Sequence, residues 1–330
     1  MPATIEKTPQ ALIKPARLIP GQTIGIAAPS SQANDPERVR FALETVESLG
    51  FRVRAAEHLY ARDGYLAGDD ATRSADLNNL YRDDTVDAIF CLRGGYGASR
   101  LLPLLDYEAI RANPKIILGY SDITSLLLAI HHLTGQVTFH GPIAGQTFTP
   151  YTLAEFKKVL MTPQAPQMLG AAPAFERGEG RVEKDNRVTT LVPGKVRGRL
   201  LGGNLSLVAH LTGTPYMPDL TGALLFLEDV GETVYAIDRM LTQLWLAGSL
   251  QKIAGLVFGK FSELRASGYA QDRILEEVLA ERARALGLPA VSGLMIGHVD
   301  DQSTIPLGCL AELDASSGTL CLLEEPVSYQ

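Results

Sequence analysis

Between Thr23 and Leu133 the chain alternates short, continuous apolar runs with segments whose apolar residues recur at helical spacing. Thr23-Ile24-Gly25-Ile26-Ala27-Ala28 is the first run, and it ends in Pro29-Ser30. Asp35-Pro36-Glu37 then supplies a helix cap with proline at the first helical position. Val39, Ala42, Leu43, Val46 and Leu49 follow at helical spacing, and Gly50 closes the helix. Phe51-Arg52-Val53 alternates like a strand, Asp70 to Tyr81 reads as a helix, and Val86 to Leu92 is an apolar strand broken only by Asp87. Ala98 to Leu105 reads as a helix, and Lys115 to Ser125 as a strand, a Gly-Tyr-Ser-Asp turn and the start of another helix. This order predicts an α/β protein with a parallel sheet covered by helices on both faces. Such sheets bind ligands at the carboxyl ends of their strands. Pro29-Ser30, the Arg93 to Gly97 loop and Ser121 all follow apolar runs, so they are expected on one edge of the sheet.

Gln136 to His140 reads as the last strand of this half. From Tyr151 to about Lys195 the pattern is lost among Pro163, Pro166, Pro173 and the polar run GEGRVEKDNR, as expected of a short helix and an irregular segment crossing between domains. After Gly198 it resumes. Gly202-Gly203-Asn204 opens a helix, Gly222 to Leu227 is a strand ending at Glu228, Tyr235 to Ala247 is a helix, and Ile253 to Phe258 is a strand. A helix over Asp272 to Leu286 and strands over Ala290 to Ile296, Thr304 to Leu313 and Thr319 to Leu323 complete the reading. The resulting division is an extended arm over 1–22, a first domain over 23–150, a crossing segment over 151–197 and a second domain over 198–330.

The chain has 330 residues, of which 46% are hydrophobic and 20% charged, enough for one large or two medium globular domains. A net charge of −7 and a pI near 5.5 argue against a non-specific nucleic-acid binder. No apolar run is long enough to cross a bilayer. The first twenty residues lack an uninterrupted apolar stretch and carry four prolines, so a cytoplasmic location is expected. Cys91, Cys309 and Cys321 lie far apart in apolar surroundings and read as buried thiols rather than a disulfide or metal site.

Ser121 sits where a strand turns sharply into a helix, a placement that exposes a serine nucleophile. Ser121-Asp122 equally suits a plain helix cap. A nucleophile needs a base and an orienting acid, and the second half offers two strand-end candidates, Glu228 and His298. Asp229 beside Glu228 is an alternative acid. A carboxylate at the end of a buried strand is costly unless paired, which favours Glu228 as the partner of a histidine. The motif lacks the last glycine of G-x-S-x-G, so the standard α/β-hydrolase fold is not expected. Arg93-Gly94-Gly95-Tyr96-Gly97 can offer backbone N–H groups, together with that of Asp122, to an oxyanion. It also reads as a simple tight turn, while Arg100 stands where a dinucleotide-binding loop would need its third glycine. A metal site at His298 with Asp300 and Asp301 ranks last, since no second His or Cys is near. His140 reads as structural.

Taken together, Ala28-Pro29-Ser30, RGGYG at 93–97, GYSDIT at 119–124, HGP at 140–142, RGRLLGGNL at 197–205, LFLEDVGE at 225–232 and GH with a later PLG at 297–308 resemble the LD-carboxypeptidase family of serine peptidases, which includes the microcin C immunity peptidases. The resemblance runs from about Thr23 to the C-terminus and leaves the arm unassigned. It implies a flavodoxin-like parallel-sheet N-terminal domain, a smaller swivelling β/α C-terminal domain and a homodimer, with no metal and no cofactor. It implies Ser121 as nucleophile, His298 as base and Glu228 as its partner, with the Gly95 and Asp122 amides holding the oxyanion. The implied substrate is a cytoplasmic murein tetrapeptide, cut between an L-centre and a terminal D-alanine. Arg93 or Asn204 is the expected holder of the free carboxylate.

Two other functions are carried forward. The first is the same chemistry on a peptidyl- or aminoacyl-nucleotide, which calls for an aromatic grip on a nucleobase. Trp245 is the only tryptophan and falls in a helix, and the crossing segment offers Tyr151, Phe156 and Phe175. The second is a non-catalytic α/β ligand-binding protein whose glycine loops cradle phosphate.

Overall fold

The computed structural model describes residues 11–33, 35–176, 178–269 and 271–329 of the protein; the first ten residues of the expected arm lie outside them. The first half contains β1 (Thr23–Ala27), α1 (Pro36–Ser48), β2 (Arg52–Ala55), α2 (Asp70–Arg82), β3 (Ala88–Cys91), α3 (Tyr107–Ala112), β4 (Ile116–Gly119), α4 (Thr124–Thr134) and β5 (Thr138–His140). These five strands pair in parallel in the order β2-β1-β3-β4-β5, the flavodoxin-like winding. β3 and β4 are buried at every position, which is why they read as continuous apolar runs. α1 starts as its sequence dictates, with Asp35 accepting from the Arg38 amide at 2.9 Å and Pro36 at the first position. Ala98–Leu104 is a 3₁₀ helix rather than an α-helix; Pro103 within it has no N–H to donate.

The remainder contains α5 (Pro150–Leu160), β6 (Gln167–Leu169), β7 (Thr189–Val192), β8 (Lys195–Asn204), α6 (Leu205–Leu211), β9 (Leu224–Val230), α7 (Val234–Leu246), β10 (Gly255–Ser262), α8 (Leu275–Leu286), β11 (Ala290–Ser292), β12 (Ile305–Leu307), β13 (Leu310–Asp314) and β14 (Thr319–Leu322). Among the described residues the second sheet runs β6-β14-β13-β8-β9-β10-β11-β7. Its centre, β8 to β11, is parallel, and its flanks are antiparallel.

Three segments differ from the sequence reading. The crossing segment is not wholly irregular, because it supplies β6 and β7, the two edge strands of the second sheet. Both are short and partly exposed, so they carry no periodic signature. Thr304 to Leu313 is two strands, not one. The break is at Gly308, where φ is +91° and an added Cβ would lie 2.2 Å from His131 Cε1. On one side of it β12 pairs antiparallel with β5 and closes the first sheet; on the other β13 pairs with β8 in the second. The strand expected over Ala290 to Ile296 stops at Ser292, because Gly293 turns to φ +101° against the Arg187 carbonyl.

The described part of the arm is held to the first domain and the C-terminus by bridges from Ile13 to Gln136 and from Ala16 to Ser328. The chain after His298 therefore stitches both sheets together. Residues 23–150 expressed alone lack β12 and leave β5 as an open apolar edge. That fragment is expected to aggregate or to melt without a cooperative transition in circular dichroism, whereas the full chain melts cooperatively; a cooperative melt of the soluble fragment would contradict this.

Candidate active site

β4 delivers Gly119, and the chain then turns through Tyr120 into a single 3₁₀ turn, Ser121–Ile123, before α4. Ser121 has φ +64°; among the described residues only Glu263 shares a positive φ without being glycine. That backbone costs an L-residue about 1–2 kcal/mol. Strain of this kind persists where surrounding contacts over-determine it, and the neighbours of Ser121 do so. A Cβ on Gly119 would lie 2.9 Å from Ile123 Cγ2, and one on Gly94 would lie 2.9 Å from Ser121 Cβ. The Arg93 to Gly97 loop is thus pressed against the serine.

Asp122 is buried. Its Oδ2 accepts from Ser30 Oγ at 2.6 Å and from the Ala98 amide at 2.8 Å. Burial pushes its carboxyl up from the usual range, while these two hydrogen bonds and the nearby Arg73 pull the other way. The three sequence-predicted pieces, Pro29-Ser30, the glycine loop and the Ser121 turn, therefore meet at the carboxyl ends of β1, β3 and β4. Between β1 and β3 the winding reverses, the place where open α/β sheets form their crevice.

From the second half, β9 carries Glu228 and Asp229 on opposite faces, as neighbours in a strand must be. Asp229 accepts from Asn204 Nδ2 at 2.9 Å and from the amide and hydroxyl of Ser206, so it is committed to the start of α6. Glu228 is fully buried, and its Oε2 lies 2.7 Å from His298 Nδ1. Burial raises the Glu228 carboxyl above its usual range, with His298 opposing. His298 is reached through Gly297, whose φ is +116° and whose missing Cβ would lie 2.6 Å from Glu228 Oε2. Only a glycine lets the two segments approach that closely. The Tyr120 ring packs edge-on against His298, with centroids 4.7 Å apart.

Ser121, His298, Tyr120, Arg93, Gly94 and Gly95 all line one cavity of about 610 Å³, and Asp35, Glu37, Arg38 and Phe41 at the start of α1 add to its lining. Arg93 donates to the Gln32 carbonyl at 3.0 Å while lining it. Asn204 is not brought to the cavity. It caps α6 and is buried between Asp229 and Thr124 Oγ1, which accepts from its amide at 3.1 Å. Its neighbour Gly203 would place a Cβ 2.6 Å from Thr124, so this glycine seats the second sheet on the start of α4. His140 is buried, and burial pushes its imidazole down to about 3, so it stays neutral. Asp301 accepts from Thr149 Oγ1 at 2.6 Å.

Sequence reasoning missed two contributors. The cavity wall from α1 was visible only as a helix cap. Arg73 of α2, buried beside the glycine loop, was visible only as a charge on an apolar helical face with Leu77 and Leu80.

A flavodoxin-like sheet presenting a serine on a strained turn, faced by a histidine held on a buried carboxylate from a second sheet, has the build of a two-domain hydrolase. Family comparison agrees. Residues 24–141 match the LD-carboxypeptidase N-terminal domain and residues 197–313 the LD-carboxypeptidase C-terminal domain, and the chain belongs to this family. It is 38% identical to a probable murein peptide carboxypeptidase of Bacillus subtilis, across 96% of this chain and 95% of that one. It is 30% identical to the microcin C7 self-immunity protein MccF of Escherichia coli, across 96% and 97%. The solved structure of MccF with aspartyl sulfamoyl adenosine superposes with a TM-score of 0.84 at 29% identity, over 96% of this chain and 100% of that one. The muramoyltetrapeptide carboxypeptidase of Oxalobacter formigenes superposes with a TM-score of 0.78 at 32% identity, over 93% and 100%. The protein is accordingly a peptidase of the carboxypeptidase type. No helix among the described residues is long and apolar enough to cross a membrane.

Two stability changes follow from this geometry. Ser121→Gly relieves the backbone strain and is expected to unfold about 1 kcal/mol less readily than Ser121→Ala in denaturant titration. Because the folded Glu228 carboxyl is raised, the site favours its protonated form, and that contribution to stability is lost as pH rises through the folded value. Glu228→Gln is therefore expected to raise the melting temperature at neutral pH, with an advantage that shrinks towards pH 4, where native Glu228 is itself protonated; equal melting curves at pH 7 would contradict this.

Proposed function

We propose that the protein is a serine-type LD-carboxypeptidase that removes the terminal D-alanine from murein tetrapeptides in the cytoplasm, as a step of peptidoglycan recycling. The observation that carries this reading is the 2.7 Å Glu228–His298 hydrogen bond set over a cavity that also holds Ser121. With Nδ1 bound to the carboxylate, Nε2 of His298 is the nitrogen left to act as base.

In the proposed reaction, Ser121 Oγ bonds to the scissile carbonyl carbon while His298 Nε2 takes the hydroxyl proton. The carbonyl electrons move onto oxygen, where the Gly95 and Asp122 amides receive the charge. As the tetrahedral species collapses, the C–N bond breaks and His298 returns the proton to the departing D-alanine nitrogen. Water then attacks the acyl-enzyme, giving its proton to His298, and Ser121 is restored. Glu228 orients the imidazole and offsets its positive charge. Among the described residues no hydrogen bond joins Ser121 to His298, and such contacts commonly tighten only around substrate.

Arg93 lines the cavity and is the group proposed to hold the terminal carboxylate; the buried Asn204 supports the site from behind. The aromatic candidates for a nucleobase grip are engaged elsewhere. Phe156 is in the core, the Tyr151 hydroxyl is bonded to the Ala171 carbonyl and to Ser303, Phe175 lies against Arg181 and Trp245 against Arg282, and none of the four lines the cavity. That favours a murein peptide over a peptidyl-nucleotide.

Incubation with a murein tetrapeptide is expected to release D-alanine, and with Ser121→Ala or His298→Ala the release falls by roughly 10³-fold or more. A chelator leaves the rate unchanged. Cleavage confined to a peptidyl-nucleotide would move the assignment to the immunity branch, and unchanged turnover in Ser121→Ala would end it.

A further inference from the structure

Arg73 is the largest fully buried side chain among the described residues, 2% exposed, and it does not line the cavity. It comes from the first turn of α2, outside every motif of the site. Its guanidinium is nevertheless spent on that site's loops. Nη1 donates to the Gly97 carbonyl at 3.0 Å and also to the Pro29 carbonyl; Nε donates to the Gly68 carbonyl at 3.0 Å. Nη2 pairs with Asp70 at 2.5 Å, and Asp70 in turn holds Arg100 at 2.8 Å.

Asp122 grips the same two segments from the other side. Its Oδ2 takes the Ala98 amide and the Ser30 hydroxyl. One peptide unit, Gly97–Ala98, is thus held by its carbonyl on Arg73 and by its N–H on Asp122. The adjacent pair Pro29-Ser30 is held in the same way, by its carbonyl and its hydroxyl. A buried cation and a buried anion share four backbone or hydroxyl partners, so neither charge is left without compensation.

The loop has no slack. Gly97 has φ +120°, and an added Cβ there would meet Leu66 at 2.5 Å and Arg73 Nη1 at 2.9 Å. Gly95, two residues away, would meet Ser31 Oγ at 2.4 Å, and Gly94 would meet Ser121 Cβ at 2.9 Å. The amides of this loop therefore stand at a distance from Ser121 that is decided at its far end, where Arg73 and Asp122 hold it.

We propose that Arg73, acting with the Asp122 carboxylate, is a positioning residue that sets the glycine loop against Ser121 and so aligns the N–H groups that receive the oxyanion. This rests on the serine-peptidase reading above, and it gives Asp122 a second task besides its own N–H. Donors aimed at developing charge matter in the transition state far more than in substrate binding. Loss of the clamp is expected to act on kcat rather than KM, because a misplacement well under the size of a bond is enough to cost catalysis.

The test is Arg73→Met and Arg73→Lys, read by murein tetrapeptide kinetics and by the rate at which a fluorophosphonate labels Ser121. Labelling also builds negative charge on an oxygen beside the serine but needs no peptide recognition. In folded Arg73→Met, kcat and the labelling rate are both expected to fall roughly 10- to 100-fold, with KM within about threefold of wild type. Arg73→Lys keeps the charge and some donors and is expected to recover part of the loss. A folded Arg73→Met that labels at the wild-type rate, or that changes KM alone, overturns the proposal. If Arg73→Met does not fold, Ser30→Ala, which removes a single hydroxyl from the same clamp, decides by the same two readouts. Wild-type protein that labels but spares the tetrapeptide refutes the substrate reading while the labelling rates still judge the clamp; wild-type protein that does not label refutes both.

Discussion

The hydrogen bond between Glu228 and His298 is the contact on which the rest of the arrangement depends. A carboxyl with no exposure is costly to ionise, and the imidazole is what makes its place at the end of β9 tenable. The demand reaches well beyond the pair. Gly297 has to be glycine because its backbone lies against the carboxylate, and Asp229, on the opposite face of the strand, is solvated separately by hydrogen bonds from Asn204 and Ser206.

The first half solves a complementary problem. A serine must project from a sheet edge, so its backbone is forced into a conformation that L-residues avoid, and the neighbours must hold it there. They do so by close approach. Gly94 and Gly119 remove the Cβ atoms that would push the turn away, and Asp122 ties the turn to the ends of β1 and β3. The parallel winding supplies the opening, since neighbouring connections leave β1 and β3 on opposite faces of the sheet. Strain and the site coincide because the same contacts that fix the serine also bring the loops around it.

The two halves are joined by more than the crossing segment. β12 returns from the far end of the chain to pair with β5, and Gly203, just before Asn204, sits directly on Thr124. The serine turn and the histidine loop are thus mounted on a shared frame, which accounts for a cavity lined by both.

Much of this was legible beforehand. Continuous apolar runs, caps such as Asp35-Pro36 and closing glycines report local physics, and they sufficed for the parallel sheet, for the expectation that Ser30, Arg93 and Ser121 share an edge, and for Glu228 and His298 as candidates in the other half. The edge strands β6 and β7 were not legible, because a short half-exposed strand owes its conformation to the strand beside it. The split at Gly308 was not legible either, since it is imposed by the His131 ring. Asn204 looked like a ligand group because an asparagine after two glycines suits both a cap and a site, and only its neighbours decide. Arg73 is the sharpest case. In the sequence it is one charge on a helix face; its meaning lies in carbonyls contributed by distant segments. The chain by itself determined which residues turn, pair and bury, because those depend on neighbours a few positions away. Which buried charge meets which partner was decided only by the tertiary structure, because electrostatic compensation depends on distance in space.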